Sequence, residues 1–301
     1  MERLTDISTI RDVLGRHGFT FSKALGQNFL INPSVCPRMA EAAIDSNNGL
    51  RAEAALQREK KGTRAVLEIG PGIGVLTKEL LERADKVVAV ELDKRLLPVL
   101  EETLGDYDNL KVVNADVLEL NLHRLIAEEF GGMEVAVCAN LPYYITSPVI
   151  MKLLEDRLPI TSITVMVQKE AAVRLCAEPG TRDSSAITAA VRYYCTPELL
   201  FHVSAGSFLP APKVDSSVIR LRLHEPVVHP KNEKTFFEVI RAAFAQRRKT
   251  VLNSLSSSLS LDKNAVRAIL KTAGVDETAR AERLTLEDFA RIADAVDDGR
   301  K

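Results

Sequence analysis

Four short apolar runs, each ending on a glycine or a polar group, constrain this chain more than any other feature of its 301 residues. Ala65-Val66-Leu67-Glu68-Ile69 leads into Gly70-Pro71-Gly72-Ile73-Gly74, and Lys86-Val87-Val88-Ala89-Val90 leads into Glu91-Leu92-Asp93. Leu110-Lys111-Val112-Val113 leads into Asn114-Ala115-Asp116, and Val135-Ala136-Val137-Cys138-Ala139 into Asn140-Leu141-Pro142-Tyr143-Tyr144. β-branched runs this short read as buried strands. The first is followed by helical spacing from Val75 to Leu81, so the pattern is one of βαβ units, an α/β fold built on a parallel sheet. Open sheets of that kind hold their ligands at the C-terminal ends of the strands. Four successive polar strand ends therefore mark a site rather than a solvated edge.

The chemistry of those ends narrows the ligand. Glycines let the backbone approach a ligand closely and present amides at a helix N-terminus. Alone, the glycine turn fits a dinucleotide as well as a nucleoside. Glu91 falls where a ribose diol would lie, and Asp116 puts a second acid at a strand end. Asn140 offers a carbonyl acceptor, while Pro142 withholds a backbone N–H and fixes φ, so the turn is a rigid frame of acceptors. Tyr143 adds a face on which a base can stack, worth roughly 1–3 kcal/mol. Acceptors beside a stacking ring suit the exocyclic amino group of a nucleobase.

The rest of the chain frames this site. Leu4 to Arg16 has helical spacing that Gly15 and Gly18 end. Phe21 to Leu30 reads as an ordered loop folding onto the site. Ser34 is placed to cap a helix through Met39 and Ile44, and Asp45 to Arg64 is a polar, solvent-facing helical excursion without chemistry. Past the fourth strand, Ser147 to Leu154 is a helix with proline in its first turn, Ile163 to Val167 a strand, and Gln168 to Leu175 and Ser184 to Tyr194 helices. Two prolines stiffen the loop Phe208-Leu209-Pro210-Ala211-Pro212-Lys213-Val214-Asp215, which displays Phe208. Val218 to Leu223 alternates apolar and basic residues, the pattern of a half-exposed or edge strand closing the sheet. A linker around His224 to Lys231 precedes a purely helical stretch in which Phe236, Phe237, Ile240, Ala243 and Phe244 share one face. Arg247, Arg248 and Lys249 follow; such a cluster suits RNA phosphates, although by itself it is more often a solvated helix end. Two domains are expected, 1–224 carrying the site and 225–301 helical.

Composition sets limits. A net charge of -1 gives no global case for nucleic acid, so any basic face is local. Cys36, Cys138, Cys176 and Cys195 show no C-x-x-C spacing and the five histidines no ligand spacing, so neither metal nor disulfides are expected. Reduced thiols and the lack of a long apolar run point to the cytoplasm and away from a membrane.

Together, Gly26-Gln27-Asn28-Phe29-Leu30, Glu68 to Gly74, Val90-Glu91-Leu92-Asp93, Asn140-Leu141-Pro142-Tyr143 and Phe208 to Asp215 strongly resemble the ribosomal RNA adenine N6,N6-dimethyltransferase family. The helical tail with Gln246-Arg247-Arg248-Lys249-Thr250 looks most like its small-subunit (16S) branch. The match covers nearly the full chain, although Asp45 to Arg64 is longer than the family carries. The resemblance implies a Rossmann-like class I methyltransferase sheet with helices on both faces and a small C-terminal all-helical domain. It also implies that S-adenosylmethionine is the cofactor. The substrate would be two adjacent adenosines in the 3′-terminal helix of 16S rRNA, within the small (30S) ribosomal subunit or its precursor, methylated by a monomer that needs no metal and no membrane. By position, Gly70 and Gly72 would approach the cofactor, Glu91 would bind its ribose and Asp116 its adenine amine, with Asn28 and Leu30 closing over it. Asn140, which also borders the cofactor, and the Leu141 carbonyl would hold the target amine in the frame set by Pro142, with Tyr143 and Phe208 sandwiching the base. Arg247, Arg248 and Lys249 would bind RNA. A large-subunit (23S) rRNA methyltransferase and an RNA-binding assembly factor with secondary methylation are the competing readings.

Overall fold

A computed structural model of the chain describes residues 4–19, 27–44 and 64–300. Nearly all of the Asp45 to Arg64 excursion, and the Phe21 to Leu30 loop up to Gly26, lie outside the described residues. The elements run α1 (Ile7–Arg16), β1 (Phe29–Leu30), α2 (Val35–Ile44), β2 (Arg64–Ile69), α3 (Val75–Leu81), β3 (Lys86–Glu91), α4 (Leu97–Leu104), β4 (Leu110–Asn114), α5 (Leu122–Phe130), β5 (Glu134–Asn140), α6 (Thr146–Glu155) and β6 (Ile160–Gln168). They continue through α7 (Lys169–Cys176), α8 (Ala186–Tyr194), β7 (Cys195–Val203), β8 (Phe208–Leu209), β9 (Ser216–Leu223), α9 (Glu233–Phe244), α10 (Val251–Leu259), α11 (Lys263–Ala273) and α12 (Leu286–Gly299).

Seven strands form one sheet in the order β4-β3-β2-β5-β6-β9-β7, parallel from β4 to β6, with β9 antiparallel to β6. Val66, Val87, Cys138, Met166 and Val218 turn one face of it into a core shared with α1 to α4. The intervening Leu67, Val88, Val137, Val165 and Ile219 are just as buried, so the opposite face is covered as well. Strand order reverses between β2 and β5, which is where an open α/β sheet leaves a crevice. Ile69 lies opposite both Val90 and Ala139, so Gly70, Glu91 and Asn140 leave the sheet side by side.

The structure departs from the sequence pattern at the sheet's far side. β9 is not an edge strand: it lies one place in, buried from Ser216 to Leu221. Its alternating arginines are compatible with burial because Glu198 accepts from Arg220 at 2.8 Å and pairs with Arg222, while Arg220 also donates to the Ala42 carbonyl. The edge belongs to β7, unassigned from sequence, where Pro197 is tolerated because an edge strand leaves donors unused. Ser34 does not stand alone at the start of α2 either; its N–H and hydroxyl both donate to Asn32.

The chain divides into two compact units, Met1–Ala172 with Glu198–Leu223, and Val173–Pro197 with His224–Lys301. In the second, Tyr193, Tyr194, Phe236 and Phe237 form an aromatic cluster, and both tyrosine hydroxyls donate to Glu233. Arg247, Arg248 and Lys249 sit exposed in the turn between α9 and α10, which is fixed by the Lys249 N–H to the Gln246 carbonyl and by Thr250 capping α10. Among the described residues none of the three forms an ion pair, and no helix is long and apolar enough to cross a membrane.

Candidate functional site

The crevice at the strand-order reversal is a pocket of the first unit, and the strand ends build its walls. Gly70 follows β2 with φ +73° and donates its N–H to the Val90 carbonyl, tying the turn to β3. Gly72 adopts φ +62°, and a Cβ there would meet the Phe29 ring at 3.2 Å. Gly74 takes φ +91°, with a Cβ only 2.6 Å from Leu104 Cδ1, so both turns need glycine. The Gly72 N–H donates to Glu91 Oε2 at 3.2 Å and the Gly74 N–H to the Pro71 carbonyl at 3.0 Å. Sequence reasoning assigned such amides to a ligand. Those of Gly70, Gly72 and Gly74 donate within the protein, which leaves the amides that open α3 from Val75 as the ones the helix start presents.

Glu91 is 6% exposed, and its Oε1 accepts from the Asp93 N–H at 2.8 Å. Burial raises its pKa, and the backbone N–H groups of Asp93, Gly72 and Leu92 oppose that rise. Asp93, present in the motif but given no role from sequence, accepts from Gln27 at 2.9 Å and from Arg95, whose guanidinium holds its carboxyl below the usual range. Asp116 also lines the pocket and accepts from the Leu118 N–H. Glu91, Asp93 and Asp116 all face the pocket, and among the described residues no lysine, arginine or histidine lines it.

The turn after β5 forms the rim. Asn140 is half-buried and its carboxamide makes no hydrogen bond among the described residues. Leu141 is buried, and the Pro142 carbonyl accepts from the Ile145 N–H and the Thr146 hydroxyl, starting α6. Tyr143 is half-buried with its hydroxyl 2.8 Å from Ser216 Oγ, so its ring is anchored to β9; burial raises its pKa. Ser216 was missed in the sequence, although it directly follows the proline-stiffened loop. Tyr144 is exposed.

Phe208 differs from its expected display on a loop. It is 5% exposed, in a two-residue antiparallel ladder where Leu30 pairs with Phe208 and Phe29 with Leu209. The N-terminal segment that brings in Asn28 and Leu30 thus zips onto the Phe208 loop and covers the ring, which still lines the pocket. Asn28, Leu30, Gly70, Gly72, Glu91, Asp116, Asn140, Leu141, Pro142, Tyr143 and Phe208 all border this one cavity, whereas Arg247, Arg248 and Lys249 belong to the second unit.

The model of the ribosomal RNA adenine dimethylase family matches residues 18–298. The ribosomal RNA small subunit methyltransferase A of Alkaliphilus oremlandii is 44% identical over 295 residues, 97% of this chain and 98% of that protein. Among solved structures, a dimethyladenosine transferase from Plasmodium falciparum is similar with a TM-score of 0.66 and 27% identity, covering 88% of this chain and 95% of that one. The 23S rRNA methyltransferase ErmE is similar with a TM-score of 0.62 and 29% identity, covering 89% and 99%.

Proposed function

Since the chain belongs to the ribosomal RNA adenine dimethylase family, we propose that it transfers methyl groups from S-adenosylmethionine to N6 of two adjacent adenosines near the 3′ end of small-subunit rRNA. The observation that carries the cofactor assignment is the charge of the pocket. Glu91 and Asp116 line it with no ion-pair partner among the described residues, Asp93 beside them is paired with Arg95, and no described lysine, arginine or histidine lines it, which disfavours the phosphates of a dinucleotide and suits a cation. The donor set fits: Glu91 presents acceptors to a ribose diol, and Asp116 presents one to an adenine amine. Asn28 and Leu30 cover the ligand from the N-terminal segment. When bound, S-adenosylmethionine supplies an electrophilic methyl group on a sulfonium.

The remaining chemistry belongs to the rim. The adenine N6 lone pair is delocalised into the ring and is a poor nucleophile. Asn140 Oδ1, free of protein partners among the described residues, and the Leu141 carbonyl accept from the amine and turn its lone pair toward the pocket. Tyr143, held by Ser216, stacks on the extruded base and offsets part of its unstacking. Phe208 packs from the covered side. Rate enhancement comes from positioning and from acceptors aimed at charge that develops on nitrogen. The methylated ammonium is acidic, so no strong base is required. Arg247, Arg248 and Lys249 bind rRNA phosphates.

The test is incubation of unmodified small subunits, and separately large subunits, with the protein and labelled cofactor, followed by mass spectrometry of the nucleosides. Dimethyladenosine confined to small-subunit rRNA is expected. Label in large-subunit RNA, or none, overturns the assignment.

A further inference from the structure

The carboxyl of Glu68 has no part in the reaction derived above, and its surroundings are unusual for an acid. It lies in β2, two residues before Gly70, with 0% exposure, and neither oxygen has a hydrogen-bond partner. Its side chain shares a sheet face with Val66 and with Cys138, its partner on β5; Asn140 follows two residues further along that face. Among the described residues, the groups that act on it offer no positive charge. They are the buried thiols of Cys36 on α2 and Cys138 on β5, the carboxyl of Glu91 on β3, and the hydroxyl of Thr77 on α3, with Glu79 of α3 acting on Cys36. Thr77 relieves part of the burial but falls short of a formed hydrogen bond, its own Oγ1 also lacking a partner. A carboxylate here would be an unpaired buried charge, so the neutral acid is the stable form. Burial first, and then Glu91, push its pKa up to about 8.

Glu68 is nevertheless one residue behind the pocket wall, which Ile69 and Gly70 line. A positive charge brought into that pocket acts on it through protein rather than water, where attraction is weakly screened. We propose that Glu68 couples cofactor binding to proton release: the acid keeps its proton while the pocket is empty and gives it up to solvent when the sulfonium cation binds. The O–H bond breaks, the electron pair stays on the carboxylate, and that charge becomes a counter-ion behind the glycine turn. Glu68 is thus a positioning residue that touches neither cofactor nor base. The inference rests on the S-adenosylmethionine reading.

The experiment is calorimetric titration of the full chain with S-adenosylmethionine, at one pH, in buffers of different ionisation enthalpy, so that the slope counts protons released. Near neutral pH the wild type should release roughly half a proton or more per cofactor, fading to none once Glu68 is already ionised at alkaline pH. S-adenosylhomocysteine carries the same amino acid and nucleoside without the sulfonium charge and should release clearly less. Glu68→Gln should remove the difference between the two ligands. Infrared difference spectra of the wild type should lose a protonated-carboxyl band on cofactor addition, a readout that does not depend on the variant folding. Equal release with both ligands, release unchanged in Glu68→Gln, or no band lost while S-adenosylmethionine binds normally overturns the coupling and leaves the cofactor reading intact. Absence of any S-adenosylmethionine binding overturns the reading itself.

Discussion

Replacing Glu91 by alanine probes the cofactor wall where its protein bonds can be counted. Glu91 Oε2 holds the Gly72 N–H at 3.2 Å and Oε1 holds the Asp93 N–H at 2.8 Å, in a side chain only 6% exposed. Alanine leaves both donors without their acceptor, and an orphaned donor costs about 1–3 kcal/mol. Part of that loss is offset, because the burial that raises the Glu91 pKa is itself unfavourable to the wild type. A net destabilisation of about 1–3 kcal/mol is expected, small enough to leave the chain folded. Cofactor affinity should fall further, since a charge-assisted pair of acceptors for the ribose is gone. At about 1.5–3 kcal/mol this is roughly 10- to 150-fold in Kd. Glu91→Gln should fall between, because a carboxamide keeps one acceptor but turns an NH2 group toward one of the two N–H donors. Calorimetry on protein shown to be folded by circular dichroism gives the answer. Unchanged affinity for S-adenosylmethionine in folded Glu91→Ala would refute the ribose assignment.

Three further outcomes follow from the geometry. Replacing Arg247, Arg248 and Lys249 together by glutamate should weaken RNA binding and flatten its salt dependence, by roughly 0.7–0.9 in slope per lost phosphate contact, with cofactor affinity unchanged; an unaltered slope returns the cluster to a solvated turn. Gly74→Ala must take φ +91° with a Cβ 2.6 Å from Leu104, so chemical denaturation should show a loss of about 2–4 kcal/mol. Glu68 has a folded pKa of about 8 against an ordinary 4.5. The native state therefore binds a proton that the unfolded chain releases. The stability this gives is full below the ordinary value and is lost as pH rises through the folded one, by up to about 1.4 kcal/mol per unit. Denaturant unfolding across that window should show a shallower decline in Glu68→Gln.

The parallel half of the sheet was legible because β2, β3 and β5, buried on both faces, read as unbroken apolar runs, and because each of them ends on a glycine or a polar group. That is why Gly70, Glu91, Asp116 and Asn140 could be named before any fold was known, and why they border one cavity. The antiparallel half was not legible. Arg220 and Arg222 gave β9 the alternation of an exposed strand, yet Glu198, distant in sequence, neutralises them. β7 follows α8 without a loop and contains Pro197, which breaks the strand pattern. The ladder of Phe29 and Leu30 with Leu209 and Phe208 is too short to carry a period, so Phe208 looked exposed when it is covered. Ser216 gains its role only through the fold that carries it to Tyr143. Glu68 stood in plain view as an acid inside an apolar run, but only the burial of both its oxygens shows it to be uncompensated.

Asn140 is proposed to hold the target amine for attack. Positive charge grows on N6 as the methyl group arrives, so the bond to Asn140 Oδ1 strengthens in the transition state. Asn140→Ala removes that acceptor, while Tyr143 stays anchored to Ser216 and Phe208 stays packed. Single-turnover methyl transfer to unmodified small subunits, with RNA affinity measured in parallel, is the direct measurement. The expected rate is lower by about 10²–10³, corresponding to about 2.7–4 kcal/mol of barrier, with RNA affinity little changed because it rests on phosphates and stacking. A folded Asn140→Ala protein that transfers methyl groups near the wild-type rate contradicts it.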